Sequence, residues 1–413
     1  MMRAIVFDLS LARYALAKAL GKQLPSLYWG ALSCVSLREV PEPPLRGPAW
    51  AKIAVEASGF CGSDLSTVLL KMSPALSPFS SFPAVLGHEI FGRLSEVGSD
   101  ARAAGFREGD RVVVNPAFGC RVRGIDPPCA SCAGGHPATC HRAGESAGGL
   151  APGFTIGYHR DLPGGFSDVV AAHATQLHRV PDGVPDARAV LTEPISIGLH
   201  GVLHRPPRDD EHVLIIGGGM IAYSVLAALR LSGRRCRVTQ LVLVPFQAEL
   251  GRALGADEVI VASKEDAMER VVALTGATRH KPILGRDVLT GGFAVTFDCV
   301  GTPDSLRDAL TFTRSQGTIV MVGACGIVPK IDLTNIWAKE LAIQGTYYYA
   351  PEADGRHTID VATELLAGDA ARSVDALITH SFPLEKYQDA IVANIDRGKS
   401  KAMKTVFKPA VRA

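Results

Sequence analysis

The sequence predicts an α/β protein in which a doubly wound parallel sheet is inserted into an irregular β domain. Three changes of texture along the chain carry that prediction. From about residue 34 to about 200 the chain is rich in Gly and Pro, with short runs such as "AKIAVEAS" and "GDRVVVNP", the pattern of short strands joined by turns. From about 205 to about 345 strand-like and helix-like stretches alternate, which argues for parallel strands with crossover helices. From about 346 the texture returns to a helical stretch and a strand-like end, "AMKTVFKP". The expected domains are 1–204 with an N-terminal extension, a nucleotide-type domain over 205–345, and a segment, 346–413, that returns to the first.

A chain of 413 residues is long for one core, in keeping with two domains. With 47% hydrophobic and 20% charged residues it reads as folded. A net charge of +2 without a long single-sign run gives no reason to expect nucleic acid as a partner. The N-terminus, "MMRAIVFDLSLARYALAKALGKQLP", is punctuated by Arg13, Lys18 and Lys22 and reads as neither a leader nor a membrane span. Its "LARYALAKALG" has helical spacing closed by Gly21. A cytoplasmic protein with no membrane partner is expected. In that reducing setting clustered cysteines read as metal-binding or catalytic rather than disulfide-bonded.

Within 205–345 the elements read in order. "HVLIIG" is a buried strand, "MIAYSVLAALRLSG" a helix closed by Gly233, and "CRVTQLVLV" a second strand. "PFQAELGRALGA" is a helix opened by Pro245, and "DEVIVA" a third strand. After the first strand, "LIIGGGMIA" sets Gly217, Gly219 and Ala222 in the G-x-G-x-x-G/A frame. That frame gives a tight turn, close backbone approach to a pyrophosphate, and helix amides aimed at its charge. A merely structural turn is the other reading. The strand–turn–helix setting makes Gly217, Gly219, Met220 and Ile221 candidate cofactor-binding residues on a Rossmann-type sheet. The second strand should end in an acid that holds the adenosine ribose. It runs apolar instead through Leu241, Val242, Leu243 and Val244, leaving Val242 at the cofactor position, and Glu249 lies inside the next helix. Arg234, Arg235 and Arg237 precede the strand, either within reach of a 2′-phosphate or in a solvated turn at its far end. NAD and NADP both stay open.

A second set of residues concerns a metal. "GFCGSDLS" supplies Cys61, Ser63 and Asp64, "LGHEIFG" supplies His88 and Glu89, and "LTEPISIGLHG" supplies Glu193. One thiolate, one imidazole and one or two carboxylates suit Zn²⁺ with a position left open, as a catalytic site requires. Singly, each also reads as an ordinary buried residue. Jointly, "CGSD", "GHE", "GDRVVV", "GGFSDVV", "EPISIGLHG", "VLIIGGGMIA", "ELGRALGADEVI" and "FDCVG" resemble the zinc-dependent medium-chain dehydrogenase/reductase superfamily, nearest its polyol and threonine dehydrogenase-like branch. They cover about residues 50–345 in the family's order. The first 45 residues match poorly, and "TRHKPILGRDVLTGG" (278–292) is longer than the usual connection.

The resemblance implies a GroES-like β domain and a zinc alcohol dehydrogenase-like oxidoreductase. Such an enzyme, as a homodimer or homotetramer, passes a hydride between an alcohol or carbonyl and NAD or NADP. It implies that Cys61 and His88 bind a catalytic zinc, with Glu89 a direct ligand and Glu193 beside the open position or exchanging with it. Asp64 would orient His88 by taking its other ring proton. Ser63 would hydrogen-bond the substrate hydroxyl and start a proton relay. Where the family often has a histidine, two residues after this aspartate, the chain has Ser66, which passes a hydrogen bond but holds no proton near neutral pH. Two further readings stay open. One is a pathway-specific enzyme for a bulky specialised metabolite, motivated by the N-terminal helix and the 278–292 insertion. The other is a non-catalytic zinc-stapled binding protein, motivated by the missing ribose acid and by Ser66.

"GCRVRGIDPPCASCAGGHPATC" (119–140) holds four of the nine cysteines. Cys129, Cys132 and Cys140 resemble the last three ligands of the family's structural zinc lobe. The fourth cysteine normally stands three residues ahead of them, where this chain has Asp126. Cys120, across "RVRGIDPP", is the preferred fourth thiolate, because two prolines and a glycine let the loop turn back. Asp126 as ligand and a metal-free or redox loop are the alternatives. Cys34, Cys236, Cys299 and Cys325 read as packing residues, and His136 and His141 as exposed loop histidines. "TYYYA" (346–350) reads as an edge strand, a pocket wall or an interface.

Overall fold

The computed structural model describes residues 1–324 and 326–409, so Cys325 lies outside the described residues. The chain forms two compact units. One comprises Met1–Glu193, Tyr349–Gly368 and Ile378–Ala413; the other comprises Pro194–Tyr348 and Asp369–Leu377. Among the described residues no helix is long and apolar enough to cross a membrane.

In the second unit six parallel strands lie in the order Glu258–Val261, Arg237–Val242, His212–Ile216, Phe293–Asp298, Thr313–Met321, Ala342–Gly345. Counted along the chain, that order is the 3-2-1-4-5-6 of a doubly wound nucleotide-binding sheet. Val213, Leu214 and Ile215 are wholly buried, as the continuous apolar run of a covered parallel strand requires. The helices Met220–Leu231 and Pro245–Ala253 follow the first two strands. The second strand stops at Val242, short of the apolar run's end, because the amides of Leu243 and Val244 turn to Gln247 Oε1, at 3.1 and 3.2 Å. The 278–292 insertion forms an antiparallel hairpin of Thr278–His280 with Val288–Thr290. "TYYYA" is not the edge strand. Ala342–Gly345 takes that place, and Tyr348, at φ +54, stops any strand from continuing.

In the first unit the long strand Trp50–Phe60 pairs with Glu89–Val97, Val169–His173 and Lys404–Phe407, so the end of the chain lies beside one of its early strands. A smaller sheet pairs Met2–Phe7 with Val35–Val40, from Met2 against Val40 to Phe7 against Val35. Residues 8–34 are therefore an excursion inside a hairpin rather than a tail ahead of the domain. Its helix Leu11–Leu20 puts Ala17, with Leu27 beyond it, into a core shared with Val68, Leu70, Tyr158, Phe166 and Phe407. Gly21 does close this helix, but at φ −64; glycine is needed because a Cβ would lie 2.3 Å from Ala17 O and 2.6 Å from the Tyr28 ring.

Candidate active site

The long strand delivers Cys61, whose extended backbone caps the helix Gly62–Val68. Asp64, in the first turn of that helix, is wholly buried and turns back on it. Its carboxylate accepts the Cys61 amide at 3.0 Å and the Tyr158 hydroxyl at 3.2 Å, and stands 3.5 Å from His88 Nδ1. His88 precedes the strand Glu89–Val97, and Glu89 sits opposite Gly59 in the ladder. A Cβ on Gly59 would lie 1.8 Å from Glu89 Oε2, so only glycine lets that carboxylate cross the strand. The ligand atoms of Cys61, His88 and Glu89 then all lie within 4.8 Å of one another.

Lys404, on the C-terminal strand, donates to both Glu89 oxygens at 2.6 Å, with both side chains 1% exposed. Glu193, in the first turn of Thr192–His204, is buried but stands outside the three-residue group. Burial pushes its carboxyl up to about 8, with His88 and Lys404 pulling it down and Glu89 and Asp64 pushing it up. Burial lowers the His88 pKa, but Asp64 and then Cys61 outweigh it and hold the imidazole well above its usual value. Ser63 and Ser66 are half-buried and one turn apart on the same helix. The set fits a zinc ion, because a thiolate, an imidazole and a carboxylate, the donor types zinc takes, converge. Tyr158 and Lys404 carry no local motif. They reach the constellation only through the fold.

The four-cysteine loop is equally specific. Cys120 Sγ lies 3.7 Å and Cys129 Sγ 3.9 Å from Cys140 Sγ, and all four sulfurs fall within 4.8 Å of one another. Thiolates bound at about 2.3 Å in a tetrahedron stand about 3.8 Å apart, so the donors fit a closed zinc site. Cys120 completes the set because Gly124, at φ +64, turns the loop back so that the Ile125 amide bonds Cys120 O at 2.9 Å. Asp126 is exposed and outside the group. Arg123, 1% exposed, donates to the carbonyls of Glu145 at 2.7 Å, Ala151 at 3.1 Å and Gly153. His136 and His141 are exposed; Cys34 and Cys236 are buried and Cys299 half-buried.

In the second unit Gly217 takes φ +128 and its amide donates to Leu241 O at 2.8 Å, which sets the glycine turn against the end of the second strand. Gly219 caps the helix Met220–Leu231 without any side-chain cap, and a Cβ on it would meet nothing within 4 Å. The amides opening that helix, at Met220 and Ile221, thus stand uncapped beside open space, the cradle a pyrophosphate requires. Val242 is buried at the strand's end. Arg237 begins the same strand, roughly 16 Å away by its rise, with Arg234 and Arg235 before it. The arginines belong to the far end.

Two family models match, "Alcohol dehydrogenase GroES-like domain" over residues 47–182 and "Zinc-binding dehydrogenase" over residues 221–367. The chain belongs to the zinc-dependent medium-chain dehydrogenase/reductase superfamily. It is 28% identical over 344 residues to L-idonate 5-dehydrogenase of Vitis vinifera, a match covering 82% of each chain. The alcohol dehydrogenase RspB of Escherichia coli CFT073, solved with NADH, shares the fold at TM-score 0.73 and 23% identity, over 98% of this chain and 99% of that one. So does a zinc-binding dehydrogenase of Sinorhizobium meliloti 1021 bound to NADP, at TM-score 0.72 and 23% identity over 99% of each.

Proposed function

We propose that this chain is a zinc-dependent dehydrogenase passing a hydride between a nicotinamide cofactor and a secondary alcohol or its carbonyl. A polyhydroxy substrate, of the kind named for the L-idonate relative, is the favoured class. The observation that carries the reading is the convergence of Cys61, His88 and Glu89 within 4.8 Å. When bound, the zinc supplies Lewis acidity toward a substrate oxygen and the nicotinamide supplies or accepts the hydride.

The chain's own residues do the rest. Cys61, His88 and Glu89 hold the metal, and Glu193 stands by as the exchanging carboxylate. Asp64, itself held by Tyr158 and the Cys61 amide, faces His88 Nδ1 and leaves Nε2 for the metal. Lys404 compensates the buried charge of Glu89. Ser63 takes the hydrogen bond of the substrate hydroxyl, and Ser66, one turn on, passes it along the helix. Cys120, Cys129, Cys132 and Cys140 hold a structural zinc, and Gly217, Gly219, Met220, Ile221 and Val242 border the cofactor. The free thiols suit the cytoplasm. An assembled site with an open ligand position serves no purpose in a mere staple, so the non-catalytic reading is not favoured.

The test is metal analysis of the full-length protein followed by NAD(P)-linked oxidation of a panel of alcohols and polyols. About two zinc ions per chain are expected, and Cys61→Ser should lose one of them together with turnover. Absence of turnover on every alcohol and carbonyl, with both zinc ions and nucleotide bound, would overturn the reading.

A further inference from the structure

We infer that the adenosine-ribose subsite of this chain is electrically neutral and accepts NAD and NADP without strong preference, and that Gln247 makes it so. The inference rests on the nicotinamide-dependent reading above. Sheets of this class place the ribose beside the end of the second strand, where an acid takes the 2′-hydroxyl or an arginine the 2′-phosphate. Here that end abuts the glycine turn through the Gly217 amide and Leu241 O, 2.8 Å apart. The residues that follow are Val242, buried, and Leu243, 66% exposed. Neither side chain offers an acceptor or a charge.

Gln247 reaches back into this corner from the helix Pro245–Ala253. Its Oε1 accepts the amides of Leu243 at 3.1 Å and Val244 at 3.2 Å, and its Nε2 donates to Gly218 O at 3.0 Å. A side-chain amide has two acceptor lone pairs and two donor hydrogens. Both lone pairs are therefore taken, so Gln247 cannot accept from a ribose hydroxyl. The two backbone amides it binds are withdrawn from any 2′-phosphate. One N–H remains, and a lone donor serves a ribose oxygen and a phosphate oxygen alike.

The arrangement is built in. A Cβ on Gly218 would lie 2.4 Å from Gln247 Cδ, so glycine admits the side chain. The turn is held again by Gln240, whose Nε2 donates to Gly217 O at 2.9 Å. Charged neighbours do not break the tie. Arg237 stands at the far end of the strand, 3.4 Å from Glu258. At the exit of the adjacent strand Lys264 and Glu265 are opposite in sign, and Glu265 pairs with Arg270 at 2.9 Å.

The test is a titration of the zinc-replete full chain with NADH and, separately, NADPH, followed by nicotinamide fluorescence. Dissociation constants within about tenfold of each other are expected, because a hydrogen bond to a charged group, worth on the order of 10- to 100-fold, is missing for both. A larger preference for either nucleotide overturns the inference and leaves the dehydrogenase reading standing. Binding of neither overturns both. Val242→Asp should shift the ratio toward NADH by about tenfold or more. Leu243→Arg, at an exposed position that spares the core, should shift it toward NADPH by a similar factor. An unchanged ratio in Leu243→Arg would place the ribose elsewhere and overturn the assignment.

Discussion

His159 is wholly buried, edge-on to the Phe118 ring with centroids 5.2 Å apart. Its Nε2 lies 2.9 Å from Ala151 O, and its Nδ1 accepts the Asp161 amide at 3.1 Å, which fixes the neutral tautomer with hydrogen on Nε2. Burial lowers its pKa to about 4 against the upward pull of Ala151 O and Asp161. In the unfolded chain the ring takes a proton near 6.5. Between those values the unfolded state binds more protons than the native one. The contribution is complete above about pH 6.5 and is lost as pH falls toward about 4, on the order of 3 kcal/mol. The urea midpoint should fall through that window, and His159→Phe should flatten the slope. Equal slopes in both proteins would assign the acid sensitivity to other groups.

Among the elements, the four-cysteine loop is the one whose donors fit a closed zinc site. Its backbone is tied by thiols and by buried Arg123, whose partners are carbonyls on the returning segment at Glu145, Ala151 and Gly153. Without a bound zinc, the loop would hold thiolates that repel or take up protons, with little apolar core to hold it. Chelation, or Cys140→Ser, should open the loop to trypsin at Arg121 and Arg142 well before the parallel sheet is cut; mass spectrometry of the fragments checks this, and an uncut loop would refute it. The cysteine cluster and the strand–helix alternation were legible because each is written in short-range spacing. The excursion at 8–34 was not, because the Phe7–Val35 pairing that makes it an insertion joins residues far apart in sequence. The early end of the second strand was hidden too, since one glutamine decided it.

For the molecule as a whole, Ala342–Gly345 edges the parallel sheet, with Ile343 39% exposed and nearby in sequence Trp337 72% exposed. An apolar open edge of this kind invites pairing. Light scattering should give two or four times the chain mass of 43.7 kDa, and a monomer would refute the expected homo-oligomer. At this scale the motif residues around Cys61 and His88 could be read in advance, because each sits in a contiguous word of sequence. Tyr158 and Lys404 could not, because one arrives from an irregular loop and the other from the C-terminal strand, each far from Cys61 and His88 in sequence. Lys404 lies 315 residues after Glu89, its buried partner. At about 5–20 residues per second, the ribosome needs roughly 15–60 s to make the lysine after the glutamate. Until then Glu89 lacks its lysine partner, so this buried pair forms only after the strand Lys404–Phe407 has been made.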